Sequence, residues 1–163
     1  MAETKTCPKP TRCIPLLAKS RIQEFPRERL RPPVTSPNVP GNPLHIDIAG
    51  EGRYPNAINL NSGTLTSTTG VAGRPIPNLI QGVGEHLPFA NGSVAGISLE
   101  NTRITPQIAS EIARTIQPGG SIRLFSPADY ASIAHQRVIS AVGGTFSQST
   151  KGGMTTTVIN APR

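Results

Sequence analysis

The segment 45–61, "HIDIAGEGRYPNAINLN", holds the residues whose types and spacing point most clearly to chemistry. A strand-like start carries Asp47 and runs into a turn with Gly50 and Gly52, and a second apolar run ends in Asn61. Glycines lack a Cβ and let a backbone approach a ligand closely. In α/β sheets, ligands bind beyond the carboxyl ends of the strands. The segment therefore favours a nucleotide-type cofactor lying across two strand ends, with an ordinary surface turn as the alternative.

Four segments have the apolar content and alternation that predict the strands needed to position this turn. They read "LHIDIAG", "AINLN", "IPNLIQG" and "SVAGISLE". The period then changes, because isoleucine recurs at every fourth position from 108 to 116. This spacing predicts a helix with Thr105 as its N-cap, Pro106 in its first turn and the glycine pair 119–120 as its end.

The remaining chain continues the alternation of strands and helices. "SIRLFS" predicts a strand, and "PADYASIAHQRVISAV" predicts a second helix capped by Ser126 and ended by the glycine pair 143–144. "GTFSQST", the "KGG" turn and "MTTTVINA" predict a terminal hairpin. The order favours an α/β domain with a mainly parallel open sheet and an antiparallel C-terminal hairpin.

Charge and proline divide the chain into two parts. Residues 1–43 hold nine of the seventeen prolines and eight basic against three acidic residues, so we expect a Pro-rich basic tail or linker. A short docked helix is expected within "IPLLAKSRIQEF". Residues 44–163 hold eight basic and six acidic residues and are expected to form the domain. The basic tail could bind an anionic or protein partner, with a solvated linker as the alternative.

Composition also limits the classes of protein to consider. Cys7 and Cys13 lie in the tail, where two reduced thiols or a local disulfide are both open. Two cysteines and three scattered histidines lack the spacing of a structural zinc site. No apolar run is long enough for a membrane span, and the N-terminus lacks an apolar signal region. We expect a cytoplasmic protein, or a secreted effector if the chain is an excised domain.

Three blocks in order over residues 44–127 together resemble class I S-adenosylmethionine-dependent methyltransferases, in the subgroup with a short first motif. "LHIDIAGEGRYPNAINLN" is similar to the glycine-rich first motif, "EHLPFANGSVAGISLEN" to the block around the fourth strand, and "EIARTIQPGGSIRLFSP" to the block ending in Pro-Gly-Gly. The resemblance implies a Rossmann-like methyltransferase fold, S-adenosylmethionine as cofactor and methyl transfer to an unidentified acceptor.

The resemblance also implies a role for each matched position. Gly50 and Gly52 would admit the methionine part of the cofactor, and Asp47 matches the acidic position near that turn. Asn61 stands where a carboxylate normally accepts hydrogen bonds from the ribose hydroxyls. Segment 98–101 falls where the acceptor meets the methyl group. The expected cofactor contacts are thus Asp47, Ala49, Gly50, Gly52, Asn61, Glu85, Leu87 and Glu100.

The chain departs from the family pattern at three positions. Ala49 replaces the usual first glycine, Glu51 stands where a second glycine often falls, and Asn61 offers one acceptor oxygen without charge. These departures support an alternative function as a non-catalytic binding scaffold. The layout of a Pro-rich linker and a compact basic terminal domain also resembles the C-terminal toxin modules of bacterial polymorphic effectors.

The connection between the first two predicted strands is shorter than a general rule requires. Parallel neighbours normally need a crossover of a dozen or more residues, and "GEGRYPN" is shorter. Either the first crossover helix is missing, or the two strands do not pair as parallel neighbours.

Overall fold

The computed structural model describes residues 43–67 and 72–163. The predicted tail up to residue 42, its short helix and both cysteines lie outside the described residues. The element order is β1 (His45–Ile48), β2 (Ile58–Asn61), β3 (Leu79–Gln81), β4 (Val94–Glu100), α1 (Pro106–Thr115), β5 (Ile116–Pro127), α2 (Ala128–Val142), β6 (Thr145–Lys151) and β7 (Met154–Asn160). All seven predicted strands and the two helices predicted for residues 44–163 are present.

The seven strands form one sheet in the order β3-β2-β1-β4-β5-β7-β6. Strands β1 to β5 pair in parallel, whereas β7 runs antiparallel to both β5 and β6. The predicted mainly parallel sheet with an antiparallel C-terminal hairpin is confirmed. Gly152 and Gly153 form the hairpin turn with φ of 58° and 75°, the positive values that a tight two-residue turn requires.

Strands β1 and β2 are parallel neighbours, with Asp47 opposite Asn59. The connection between them spans only residues 49–57 and contains no helix. The first of the two alternatives is therefore correct, and the crossover helix is missing. Among the described residues, no helix lies over the face of the sheet that carries His45, Asp47 and Ser98.

Both helices pack on the other face. The register aligns Ile46, Ile97, Ile122 and Ile159 across four strands, and these side chains form one buried cluster with apolar residues of α1 and α2. Neither helix has the length and apolar character that crossing a bilayer would need, and residues 43–67 and 72–163 contain no other helix.

Helix α1 begins as predicted but ends early. Thr105 is the N-cap and its Oγ1 accepts a hydrogen bond from the Ile108 amide at 3.2 Å. The predicted end at the glycine pair 119–120 is wrong, because Ile116 is already extended and pairs with Val94 of β4. Pro118 also disfavours a helical conformation at the residue before it.

The predicted capping role of Ser126 is also wrong. The N-cap of α2 is Pro127, which makes no side-chain capping bond. Ser126 Oγ instead lies 2.9 Å from His135 Nε2, and His135 Nδ1 lies 2.8 Å from Thr157 Oγ1. All three residues are buried. The hydroxyl therefore satisfies a core histidine.

We predict that His135 makes stability fall in acid. Burial lowers the pKa of His135 below its ordinary 6.5, so below about pH 6.5 the unfolded chain binds a proton that the folded chain does not, and folding weakens as pH falls. We expect His135→Phe to cost about 1–3 kcal/mol near neutral pH, because two buried hydroxyls lose a partner. The cost should shrink near pH 5, as measured by urea unfolding.

The exposed His86 supplies the matched control. His86→Phe should change the free energy of unfolding by no more than about 0.5 kcal/mol at either pH. Equal losses for His135→Phe at the two pH values would contradict the prediction.

Candidate functional site

The order of the strands reverses between β1 and β4, because the chain proceeds outward from β1 to β3 and then returns to β4 on the other side. Such a switch point is where open α/β sheets bind ligands, beyond the carboxyl ends of the strands. A cavity of about 200 Å³ lies there. We call it the edge cavity. It is lined by Ile48, Ala49, Leu60, Asn61, Ser62, Gly82, Val83, Gly84, Glu85, Thr102, Arg103 and Ile108.

Three of the residues expected from the sequence line the edge cavity. Ala49 follows β1, Asn61 ends β2 and Glu85 follows β3. Glu85 Oε1 is 3.5 Å from Thr105 Oγ1, at the limit of a hydrogen bond. Asn61 binds within the chain, since its Nδ2 donates to the Gly50 carbonyl at 3.2 Å and its Oδ1 accepts from the Gly63 amide at 2.9 Å. The Asn61 amide was expected to face a ligand. In the structure both of its polar atoms bind the backbone and stabilise the neighbouring turns.

Ala49 adopts a left-handed conformation with φ of 59°. This conformation costs a residue with a Cβ roughly 1–2 kcal/mol, and glycine adopts it freely. The departure from the family's glycine at this position therefore leaves the geometry of the turn in place and adds strain to it.

Gly50 and Gly52 are required by the packing of the chain itself. A Cβ at Gly50 would come within 2.6 Å of the Asp47 carboxylate, and a Cβ at Gly52 would lie 2.7 Å from the Pro77 ring. The Gly52 amide also donates to Asn59 Oδ1 at 3.0 Å. A larger side chain at either glycine would disturb the fold whether or not a ligand binds nearby.

Leu87 and Glu100 do not line the edge cavity. Leu87 is buried in the core, and its amide donates to Glu111 Oε2 at 2.9 Å. Glu100 holds the β1–β2 connection down, because it accepts a hydrogen bond from Arg53 Nη1 and another from the Tyr54 hydroxyl, each at 2.5 Å. The turn at residues 49–53 therefore lies beside the edge that carries segment 98–101, as expected, and two side chains tie it there.

Asp47 is the electrostatic anomaly of this region. It is 1% exposed, and neither carboxylate oxygen has a hydrogen-bond partner within the described residues. Its neighbours on the same face are committed elsewhere, since Asn59 Nδ2 donates to the Pro77 carbonyl and Ser98 Oγ lies 2.8 Å from His45 Nε2. Burial raises the pKa of Asp47 to about 6, an effect that Arg53 opposes and Glu100 reinforces.

Sequence reasoning missed several residues of this region. Thr102 and Arg103 follow β4 and line the edge cavity, and their only signal was their place just after a predicted strand. Tyr54 was also missed, because its contact with Glu100 joins residues 46 positions apart. Within the described residues, no group of three or more acidic, histidine or cysteine side chains could hold a metal ion.

We predict that Asp47 destabilises the folded protein at neutral pH. The folded carboxyl holds its proton up to about pH 6, against 3.8 when unfolded. The folded state thus binds more protons between these values, and stability declines as pH rises through them. The shift from 3.8 to about 6 corresponds to at most about 3 kcal/mol. Asp47→Asn should therefore raise the free energy of unfolding by about 1–3 kcal/mol near pH 7.

The gain should vanish near pH 4, where Asp47 is protonated when folded and half-protonated when unfolded. The gain is the difference in free energy of unfolding between the Asp47→Asn protein and the parent, measured by denaturant unfolding at the two pH values. Asp129→Asn is the control, since Asp129 is an exposed carboxylate in the first turn of α2. If Asp47→Asn proves less stable than the parent near pH 7, the carboxylate is satisfied and the prediction is wrong.

Comparison with solved structures identifies the fold. A T. thermophilus 16S rRNA N2 methyltransferase, solved with AdoMet and guanosine, matches 76% of this chain with a TM-score of 0.54 at 14% identity. A Bacillus halodurans protein assigned to the methyltransferases matches 76% of this chain and 94% of its own, with a TM-score of 0.52 at 11% identity. A SAM-dependent methyltransferase from Thermotoga maritima matches 75% of this chain and 83% of its own, with a TM-score of 0.52 at 10% identity.

The match covers only 36% of the T. thermophilus enzyme, so this chain spans little more than a third of that protein. No protein-family model matches the sequence. No curated protein sequence matches it either. The likeness therefore lies in the fold. The chain has the Rossmann-like fold of the class I S-adenosylmethionine-dependent methyltransferases.

Proposed function

We propose that this chain binds S-adenosylmethionine at the edge cavity and transfers its methyl group to an acceptor. One observation carries the proposal. Ala49, Asn61 and Glu85 come from three separate turns, each was expected from the sequence to contact this cofactor, and all three line one cavity at the switch point of the sheet. The shared fold with methyltransferases supports the same function.

The lining of the edge cavity suits the two parts of a nucleoside. Ile48, Leu60 and Ile108 supply an apolar wall for a flat base, and Ser62 supplies a hydroxyl for ribose. The Asn61 amide already binds the backbone through both atoms, which leaves it one N–H and one lone pair for a ligand. At about 200 Å³ the cavity is smaller than the roughly 300 Å³ at which ligand pockets usually begin. It would enclose part of the cofactor and leave the rest near the turn at residues 49–53.

Asp47 is the residue that we assign to the methionine part of the cofactor. That part carries an ammonium group, and a buried carboxylate whose two oxygens have no hydrogen-bond partner among the described residues is an acceptor suited to such a group. Asp47 lies directly against Gly50 in the turn. Arg53 and Tyr54 close the turn over this region through Glu100, so we expect these two contacts to loosen when the cofactor binds.

When bound, S-adenosylmethionine supplies a methyl group on a sulfonium, which is already activated for displacement. The contribution of the chain is then mainly to position the reacting groups. A general base is needed only when the acceptor must lose a proton. A prominent catalytic side chain is therefore not required at the edge cavity.

A non-catalytic scaffold is the alternative function. It is favoured by the Asn61 amide, whose nitrogen and oxygen both bind the backbone of the chain. No contact or cavity among the described residues bears on a toxin module.

Calorimetry with S-adenosylmethionine and with its demethylated product tests the proposal. We expect both to bind, and we expect Ala49→Leu to weaken binding at least about tenfold, because the larger side chain would occupy the edge cavity. Ala49 suits this test better than Gly50, since a Cβ at Gly50 would collide with Asp47 and Asn59. No heat at about millimolar cofactor would leave only the scaffold function.

Ala141→Leu makes the same substitution at an exposed position of α2, away from the edge cavity, and should leave the affinity unchanged. Equal affinities for the Ala49→Leu and Ala141→Leu proteins would refute the placement of the site.

A further inference from the structure

A second cavity lies on the face of the sheet that the helices do not cover. Its volume is about 380 Å³, within the range of small-molecule sites. We call it the face groove. It shares no lining residue with the edge cavity. It is lined by Pro43, His45, Tyr54, Pro55, Asn56, Ala57, Ala95 and Gly96.

The walls of the face groove suit a flat ring. His45 and Tyr54 stack with their ring centroids 5.5 Å apart and their planes 29° apart. Pro55 and Ala57 add apolar surface. A Cβ at Gly96 would lie 3.4 Å from His45 Cγ and 3.5 Å from His45 Nδ1, so the glycine leaves this side of the imidazole open.

A series of polar contacts links Glu100, Tyr54, Ser98 and His45. Glu100 pairs with Arg53 and can only accept, so the Tyr54 hydroxyl donates to Glu100. Burial and the bond to Glu100 raise the pKa of Tyr54, whereas a hydrogen bond with Ser98 opposes the rise.

Ser98 Oγ is also 2.8 Å from His45 Nε2. In one of the two neutral tautomers of His45, Nε2 carries the proton and is the donor in this contact. Burial lowers the pKa of His45, which keeps the ring neutral near pH 7. Nδ1 of a neutral ring protonated at Nε2 is a bare acceptor. Within residues 43–67 and 72–163, no hydrogen bond reaches it.

We propose that His45 carries its proton on Nε2 and that the face groove is a binding site for a planar aromatic ring that carries one N–H or O–H donor, with the donor bound to His45 Nδ1. The apolar walls hold the ring, and the imidazole nitrogen selects rings that can donate. The face groove shares no lining residue with the edge cavity, and binding there does not require methyl transfer.

Two probes that differ at the ring nitrogen test the proposal. Indole has the N–H, and 1-methylindole replaces it with a methyl group. In amide chemical-shift titrations of the full chain, indole should perturb His45, Asn56 and Gly96 and bind at least about fivefold more tightly than 1-methylindole, as one added hydrogen bond predicts. No binding of indole, equal affinities for the two probes, or shifts confined to other residues would overturn the proposal.

His45→Phe keeps a ring in the stack and removes the acceptor, so it should reduce the affinity for indole to that for 1-methylindole. His86→Phe makes the same change at an exposed loop and should leave the fivefold preference intact. The imidazole nitrogen shifts of the unmutated protein provide a test that needs no variant. A bare Nε2 and a protonated Nδ1 on His45 would refute the assignment.

Discussion

The short connection between β1 and β2 is the constraint on which the rest of this region depends. Residues 49–57 join two parallel neighbours without a helix, although such neighbours usually need a dozen or more residues. The chain meets this limit with a left-handed residue at Ala49 and with glycines whose Cβ positions are taken by neighbouring atoms. The connection then folds over the face opposite α1 and α2 and is held there by Glu100. Both cavities border this connection.

The polar residues under the connection are unequally satisfied. Asn59 and Ser98 flank Asp47 across the sheet, and each has its hydrogen bonds directed away from it. Removing a carboxylate from water without a partner is costly. Natural proteins keep such groups mainly where a ligand or a reaction uses them. In this chain the unpartnered carboxylate lies beside the turn at which the sequence predicts a cofactor. This coincidence is the strongest link between the stability of the protein and its proposed function.

The fold was largely predictable because its signals are local. Apolar content and the alternation of apolar and polar residues predicted every strand. The isoleucines four residues apart and the capping residue Thr105 predicted α1. The errors arose where tertiary contacts override local signals, as when pairing with β4 ends α1 before the glycine pair and when His135 takes the hydroxyl of Ser126. The site was less predictable. The resemblance led to Ala49, Asn61 and Glu85, which line the edge cavity, whereas Leu87 is a core residue. The contacts that join His45 to Ser98 and Tyr54 to Glu100 depend on the register of β1 and β4, which no spacing in the sequence reveals.

Strand β6 forms the outer edge of the sheet, and all seven of its residues are exposed. Exposed edges can recruit strands from other molecules, and proteins usually protect them with charges, prolines or bulges. Between Thr145 and Thr150 the strand has no proline and no charged side chain, and Phe146 is 52% exposed. Lys151, at the turn, is its single charge. Colloidal behaviour at high concentration should therefore be governed by this edge of the sheet, which β7 and β5 separate from the switch point between β4 and β1.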